Sequence, residues 1–200
     1  MIKVDFWQGR YETENTPWDL GGPSPHFVAL LNQKPDFLKP GKMAVFGSGR
    51  GHDAALFAQN SLDVTGFDYA PGAVEEARKL YGSLAIRFEQ ADLFDMSKAD
   101  SPWAGQFDFL LEHTCFCAIL PQDRAAYAQS ARNILKPGGY LIGVFWEHQD
   151  EDGPPFSTTE ADIRQIFGAD FELCSISENT PASGRAGIER LAVLRRKMEV

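Results

Sequence analysis

Apolar and polar positions follow two rhythms along the middle of the chain. Met43–Phe46, Asp63–Phe67, Ile86–Gln90 and Phe107–Leu111 are short, mostly apolar runs bounded by turn-forming residues, and each predicts a strand. Between them the rhythm becomes helical. Asp53–Asn60 predicts a helix after the first strand. Ala73, Val74, Ala77, Leu80 and Tyr81 fall at i, i+1, i+4, i+7 and i+8, one face of a second. Pro121 is expected to open a third, because the first amide of a helix has no partner to lose. Its face is Tyr127, Ala128, Ala131, Ile134 and Leu135, and Lys136-Pro137-Gly138-Gly139 should stop it. Tyr140–Trp146 predicts a fifth strand, Thr158–Phe167 a helix, and Phe171–Ser177 and Glu189–Arg195 the last two strands.

Strands alternating with crossover helices predict an α/β fold, a seven-stranded, mostly parallel sheet with helices on both faces. No linker or repeat divides residues 1–200, which read as a single domain. In such sheets ligands sit beyond the carboxyl ends of the strands. The turn after Phe46, Asp68, Asp92 and the Glu112–Cys117 segment all follow strands, so they are expected to meet on one edge.

Composition narrows the partners. A formal net charge of -9 and a pI of about 4.9 argue against nucleic acid, whose phosphates need a basic surface. No run approaches the ~20 apolar residues of a membrane span. The N-terminal MIKVDFWQGRYETENTPWD lacks the apolar core of a signal peptide. Three cysteines, Cys115, Cys117 and Cys174, form no disulfide framework and suit a reducing cytoplasm. Cys115-x-Cys117 has no second ligand pair, so no metal is expected. A soluble cytoplasmic monomer acting on a small molecule is the resulting expectation.

The chemistry starts at Gly47-Ser48-Gly49-Arg50-Gly51. Glycines directly after a first strand allow tight curvature and close approach of a ligand to the main chain. A dinucleotide fingerprint would place its third glycine at position 52, which is His52. G-x-G-x-G suits a ligand without a pyrophosphate, although alone it is also an ordinary strand-to-helix turn. Asp68 ends the second strand 19 residues after Gly49, where a carboxylate can accept from both ribose hydroxyls. It could equally cap the helix at Pro71. Asp92 follows the third strand, where it can accept from an adenine amino group while Leu93 covers the ring; a surface-loop aspartate is the plainer alternative. Three such features in register favour a nucleoside.

Five segments carry a family resemblance over nearly the whole chain. Phe6-Trp7-Gln8-x-x-Tyr11 through Thr16-Pro17-Trp18-Asp19-Leu20-Gly21 resembles the aromatic N-terminus of the thiopurine and thiol/thiocyanate/halide methyltransferases. Gly51-His52-Asp53 matches their GHD and Cys115-Phe116-Cys117-Ala118-Ile119 resembles FCAI. Gly153-Pro154-Pro155-Phe156 resembles GGPPY, and Arg185-x-Gly187-x-Glu189-x-Leu191 resembles R-x-G-x-E-x-L. The resemblance implies a Rossmann-like class I methyltransferase fold using S-adenosylmethionine and releasing S-adenosylhomocysteine. It implies that residues 1–35 form an arm closing over the cofactor, with Trp7, Tyr11 and Trp18 as its aromatic contacts. Gly47 and Gly49 take the backbone role, Asp68 the ribose, Asp92 and Leu93 the adenine, and His113 a further cofactor contact. Tyr11 stands where the family often has Trp, Glu112-His113 where it often has Asp-Tyr, and Trp146 where it often has Tyr.

The aromatic arm makes chemical sense, since the methyl donor is a sulfonium cation and aromatic faces attract desolvated cations by about 0.5–2 kcal/mol each. The expected reaction is in-line displacement by a soft nucleophile: a thiol, hydrosulfide, thiocyanate or iodide. Anions need no general base; a neutral thiol would, and His113 is the candidate. Trp146 and Arg185 are candidate acceptor contacts. Thiopurine, tellurium or selenium acceptors, and a non-catalytic nucleoside-binding protein of the same fold, are the alternatives.

Overall fold

Three parallel strands organise the first half of the chain. The computed structural model describes residues 2–150, 152–178, 180–181 and 186–198. Ile2–Leu93 and the residues from Phe94 onward form two compact units. In the first, β1 (Lys42–Phe46), β2 (Asp63–Asp68) and β3 (Arg87–Gln90) lie in the order β3-β2-β1, all parallel. Phe46 pairs with Phe67 and Asp68 with Gln90, so the loops that follow leave the sheet at one edge. The crossovers are α3 (His52–Gln59) and α4 (Pro71–Tyr81). Ala73, Val74 and Ala77 of α4 are buried as their spacing predicts, but Leu80 is 53% exposed. Leu80 lies in the last turn of α4, whose contacts are made instead by Arg78, which donates to the Phe88 carbonyl, and by Tyr81.

The N-terminal arm contains two helices that its apolar spacing does not announce. α1 (Val4–Glu12) carries Trp7 and Tyr11 one turn apart, and α2 (Pro25–Gln33) has its proline in the first turn. α1 lies against the start of α4, where the Gly72 N–H donates to Gln8 Oε1 at 2.8 Å. Context, not propensity, builds this helix.

In the second unit β4 (Phe107–His113) and β5 (Leu135–Glu147) are parallel. β8 (Ile188–Arg196) pairs antiparallel with β5, with β6 (Phe171–Ile176) and with the two-residue β7 (Thr180–Pro181), giving the order β4-β5-β8-β6. The seven expected strands are present, with β7 added. The short return from β6 to β8 allows only antiparallel pairing, which makes the sheet mixed. Pro121 opens a 3₁₀ turn, Pro121–Asp123, and α5 (Arg124–Ile134) follows it. Leu135 belongs to β5, paired with Phe107, and the strand runs on through Lys136–Gly139. α6 (Glu160–Phe167) begins at a capping box in which Thr159 and Asp162 bond each other's amides. Phe116, Tyr127, Phe145 and Phe167 pack edge-on or tilted with centroids 5.0–6.3 Å apart, an aromatic core at the carboxyl end of β4. Among the described residues no helix is long and apolar enough to cross a membrane.

Gly51 shows how tightly the glycine turn is packed. Its φ is +82°, and a Cβ there would stand 2.7 Å from the Phe88 ring. Gly51→Ala is therefore expected to cost about 2–3 kcal/mol, summing strain at positive φ and overpacking. A urea melt showing a loss below 0.5 kcal/mol (about the scatter of a surface change) would contradict this packing argument.

Candidate active site

Gly47, Gly49 and Gly51 all have positive φ, which swings the turn's amides toward the end of β2. The Gly49 N–H donates to Asp68 Oδ2 and the Ala70 N–H to Asp68 Oδ1, both at 2.9 Å. The 19-residue spacing thus becomes a direct contact, and one aspartate ties the glycine turn to Ala70, the residue before α4. Burial pushes its carboxyl above the ordinary range, and the amides of Ala70, Gly49 and Tyr69 pull the other way. A carboxylate has about four acceptor positions, so lone pairs remain for a ribose hydroxyl. The Ala91 N–H donates to the Asp68 carbonyl at 2.9 Å, which brings the half-buried Asp92 and Leu93 to the same edge.

The arm closes on this turn. Tyr11 is buried, and its hydroxyl would be 3.3 Å from a Cβ at Gly49. Trp18 packs on Trp7 at 5.6 Å and on Tyr11 at 6.1 Å between centroids, and Ala70 and Ala73 lie beneath. Burial and the nearby Asp68 carboxylate push the Tyr11 phenol well above its ordinary range, so it stays a neutral donor. The structure thus gathers Trp7, Tyr11, Trp18, Gly49 and Asp68, as the sequence predicts.

What holds the arm down is not apparent from the sequence. Arg50, inside the glycine turn, bonds Asp19, Glu76 and Thr16, the last two at 2.6 and 3.2 Å. Asp19 also accepts the Gly21 N–H at 2.8 Å, and its Oδ1 lies 3.2 Å from His52 Nε2. His52 Nδ1 meets the Tyr81 hydroxyl at 2.7 Å, and Asp53 accepts the Ser24 N–H at 2.7 Å. Asp53 of the Gly51-His52-Asp53 motif therefore bonds the arm, and His52 lies against it. Burial works to raise the Asp19 carboxyl, but the Gly21 amide and Arg50 prevail and hold it below the usual range. The latch is therefore charged throughout the neutral range.

The second unit carries the other motif residues. β4 ends at Glu112 and the half-buried His113, and Thr114 then turns the chain with φ at +61°. Cys115 is half-buried at the start of a 3₁₀ turn, and Cys117 is buried within it. Glu112 Oε1 accepts the amides of Cys115 (3.0 Å) and Phe116 (2.7 Å), and Oε2 accepts the Tyr127 hydroxyl. Burial pushes this carboxyl up to about 7 against those donors and His113. CFCAI and GPPF meet, since the Phe156 N–H donates to the Cys117 carbonyl at 2.6 Å. The buried Arg124 lies over the Phe116 ring at 4.7 Å and donates to the carbonyls of Phe156 and Ser157 at 3.2 and 3.1 Å. Trp146 packs at a tilt on His148, 4.4 Å between centroids, and, with Glu112, Cys117 and Thr158, lines a cavity of ≈ 10 Å³. Arg185 lies outside the described residues. Arg124 and Tyr127 have no sequence signal, because a helix pattern does not distinguish a tyrosine that bonds a carboxylate from one that fills a core.

The sequence model of the Thiopurine S-methyltransferase (TPMT) family matches residues 2–196. The chain belongs to this family. Its methyl donor is S-adenosylmethionine. Curated relatives include "Probable thiol methyltransferase 2" of Arabidopsis thaliana, 32% identical over 92% of this chain and 82% of its own. "Thiocyanate methyltransferase 1" of Brassica oleracea is 34% identical over 95% and 84%. Among solved structures, one from work on conversion of a disulfide bond into a thioacetal group during echinomycin biosynthesis superposes with a TM-score of 0.81, covering 98% of this chain and 94% of that one at 22% identity. The Burkholderia thailandensis 1,6-didemethyltoxoflavin-N1-methyltransferase, with bound 1,6-didemethyltoxoflavin and S-adenosylhomocysteine, gives 0.77, covering 97% and 87% at 20% identity. These matches show the class I methyltransferase fold.

Proposed function

We propose that this family member methylates a small, soft nucleophile, namely a thiol, hydrosulfide, thiocyanate or iodide, by in-line displacement. The observation that carries the reading is the aromatic arm latched over the glycine turn, with Asp68 joined to Gly49 beneath it. When bound, the cofactor supplies a methyl group on a positively charged sulfur. Trp7, Tyr11 and Trp18 exclude water from it and offer aromatic faces to the cation. Gly47 and Gly49 let its methionyl part approach the main chain; Asp68 accepts from its ribose, and Asp92 and Leu93 receive its adenine. Proximity and alignment then lower most of the barrier, with effective molarities of roughly 10⁵ M or more.

His113 is assigned as a cofactor contact and as base for a neutral thiol, Trp146 and Arg185 as acceptor contacts. Relatives with thiol and thiocyanate in their names support a small acceptor over a fused-ring thiopurine. We read residues 1–200 as one domain with 1–35 as its arm, since a single family model spans both units. Three free cysteines fit the cytoplasmic location we propose, as a monomer, and the net charge of -9 supports a small-molecule partner, not nucleic acid.

The test is a screen of iodide, thiocyanate, hydrosulfide, an aliphatic thiol, a thiopurine, and tellurite and selenite. Methyl transfer fastest to the small anions is expected. Preference for thiopurine, tellurite or selenite would reassign the acceptor. Tight cofactor binding without any turnover would leave a nucleoside-binding protein.

A further inference from the structure

We infer that Glu112 is a positioning residue of the reaction: its ionised carboxylate locks the strained Thr114–Cys117 turn in the shape that presents His113. The inference rests on the methyl-transfer reading above and deepens it. Thr114 is β-branched and held at φ +61°, a conformation that L side chains rarely adopt, so the turn needs an external hold. Glu112 supplies it. One oxygen gathers two successive amides, Cys115 at 3.0 Å and Phe116 at 2.7 Å, at the start of the 3₁₀ turn. The other takes the hydroxyl of Tyr127, a fully buried residue of α5. Glu112 itself is 1% exposed, and its bonds to Phe116 and Tyr127 are buried from solvent.

The surrounding charges are few. His113 on β4, Cys115 and Cys117 on the turn, and Tyr127 and Arg124 on α5 face the carboxylate, while Asp162 of α6 acts on Arg124. The cavity beside Glu112 is walled by β5 through Val144, Phe145 and Trp146, which do not titrate. The Thr158 hydroxyl, buried and without a hydrogen-bond partner among the described residues, belongs to a residue lining the same cavity.

Protonation would weaken the lock at every point. A neutral acid accepts from an amide about half as strongly as a carboxylate, and its oxygen would hold the Tyr127 hydroxyl more weakly. Because burial pushes Glu112 up to about 7, the change falls in the neutral range. The sign for stability is opposite to that for activity. Folding raises this group from 4.5, so the folded chain gains a proton between 4.5 and about 7, and the stability it contributes falls as pH rises through about 7. The chain thus keeps a carboxylate that costs stability at the pH where it locks the turn.

Two measurements decide the matter. The first is kcat/KM against pH with iodide, which carries no proton and so reports only enzyme groups. The wild type is expected to lose about tenfold between roughly pH 8 and 6. Glu112→Gln should give a flat profile at or below about a tenth of the wild-type plateau. Tyr127→Phe removes a donor that favours the charged form, so its acid limb should move to higher pH. A purely structural Glu112 would leave the limb in place in both variants, and that result overturns the inference. The second is hydrogen exchange at the Cys115 and Phe116 amides, corrected for intrinsic rates. Protection should fall on acidification in the wild type and be low at all pH in Glu112→Gln. Protection that is constant with pH and unchanged in the variant overturns the lock even if no acceptor is turned over. Absence of turnover by the wild type at any pH instead sinks the methyl-transfer reading.

Discussion

Replacing Asp68 by alanine is expected to weaken S-adenosylhomocysteine binding by about 100-fold, close to 2.7 kcal/mol. Two losses combine. The ribose hydroxyls lose their acceptor, and the Gly49 and Ala70 amides lose the carboxylate that joins the glycine turn to α4. Asp68→Asn should recover part of the loss, because an amide oxygen can still accept one of those bonds. Isothermal titration gives the affinity, and a thermal melt separates it from unfolding. Burial already disfavours the ionised carboxyl, so the melt should move little in Asp68→Asn. Affinity within about threefold of wild type in Asp68→Ala would remove this residue from the ribose role.

Cutting the arm's latch should act on the rate of release. Asp19→Asn or Arg50→Met is expected to speed cofactor dissociation about tenfold, since the contacts that latch the arm lie within the chain and must break before the cofactor leaves. Asp19, Arg50 and Glu76 form one network, so the double variant should lose much less than the sum of the singles. Stopped-flow tryptophan fluorescence is the natural measurement, because Trp7 and Trp18 lie in the arm itself. Fully additive losses, or a change in association alone, would mean that the ion pair is a solvated surface contact.

These two sites differ in how far the sequence exposes them. Asp68 is legible because strand periodicity places it at a strand end and counting places it opposite the glycines. The latch is not, because Asp19 and Arg50 are 31 residues apart and nothing in either segment names a partner. The same holds for Glu112 and Tyr127: the helical stripe marks Tyr127 as buried, but burial alone does not say that its hydroxyl meets a carboxylate. Leu80 and the end of α5 depart from the pattern for a related reason. Periodicity reports which face of an element is apolar, and tertiary neighbours, such as Phe107 pairing with Leu135, decide how much of it is used.

By itself the sequence determined the order of strands and helices, the glycine turn, the acidic residues that follow the strands, and the family. All of these are local, set by spacing and by the conformational freedom of glycine and proline. Only the tertiary structure decided that the arm is helical and latched to the glycine turn by Asp19 and Arg50. It alone brought Cys117 to Phe156, and it closed three donors around Glu112. Those contacts join residues far apart in the chain, and their strength comes from exclusion of water, which no stretch of sequence carries alone.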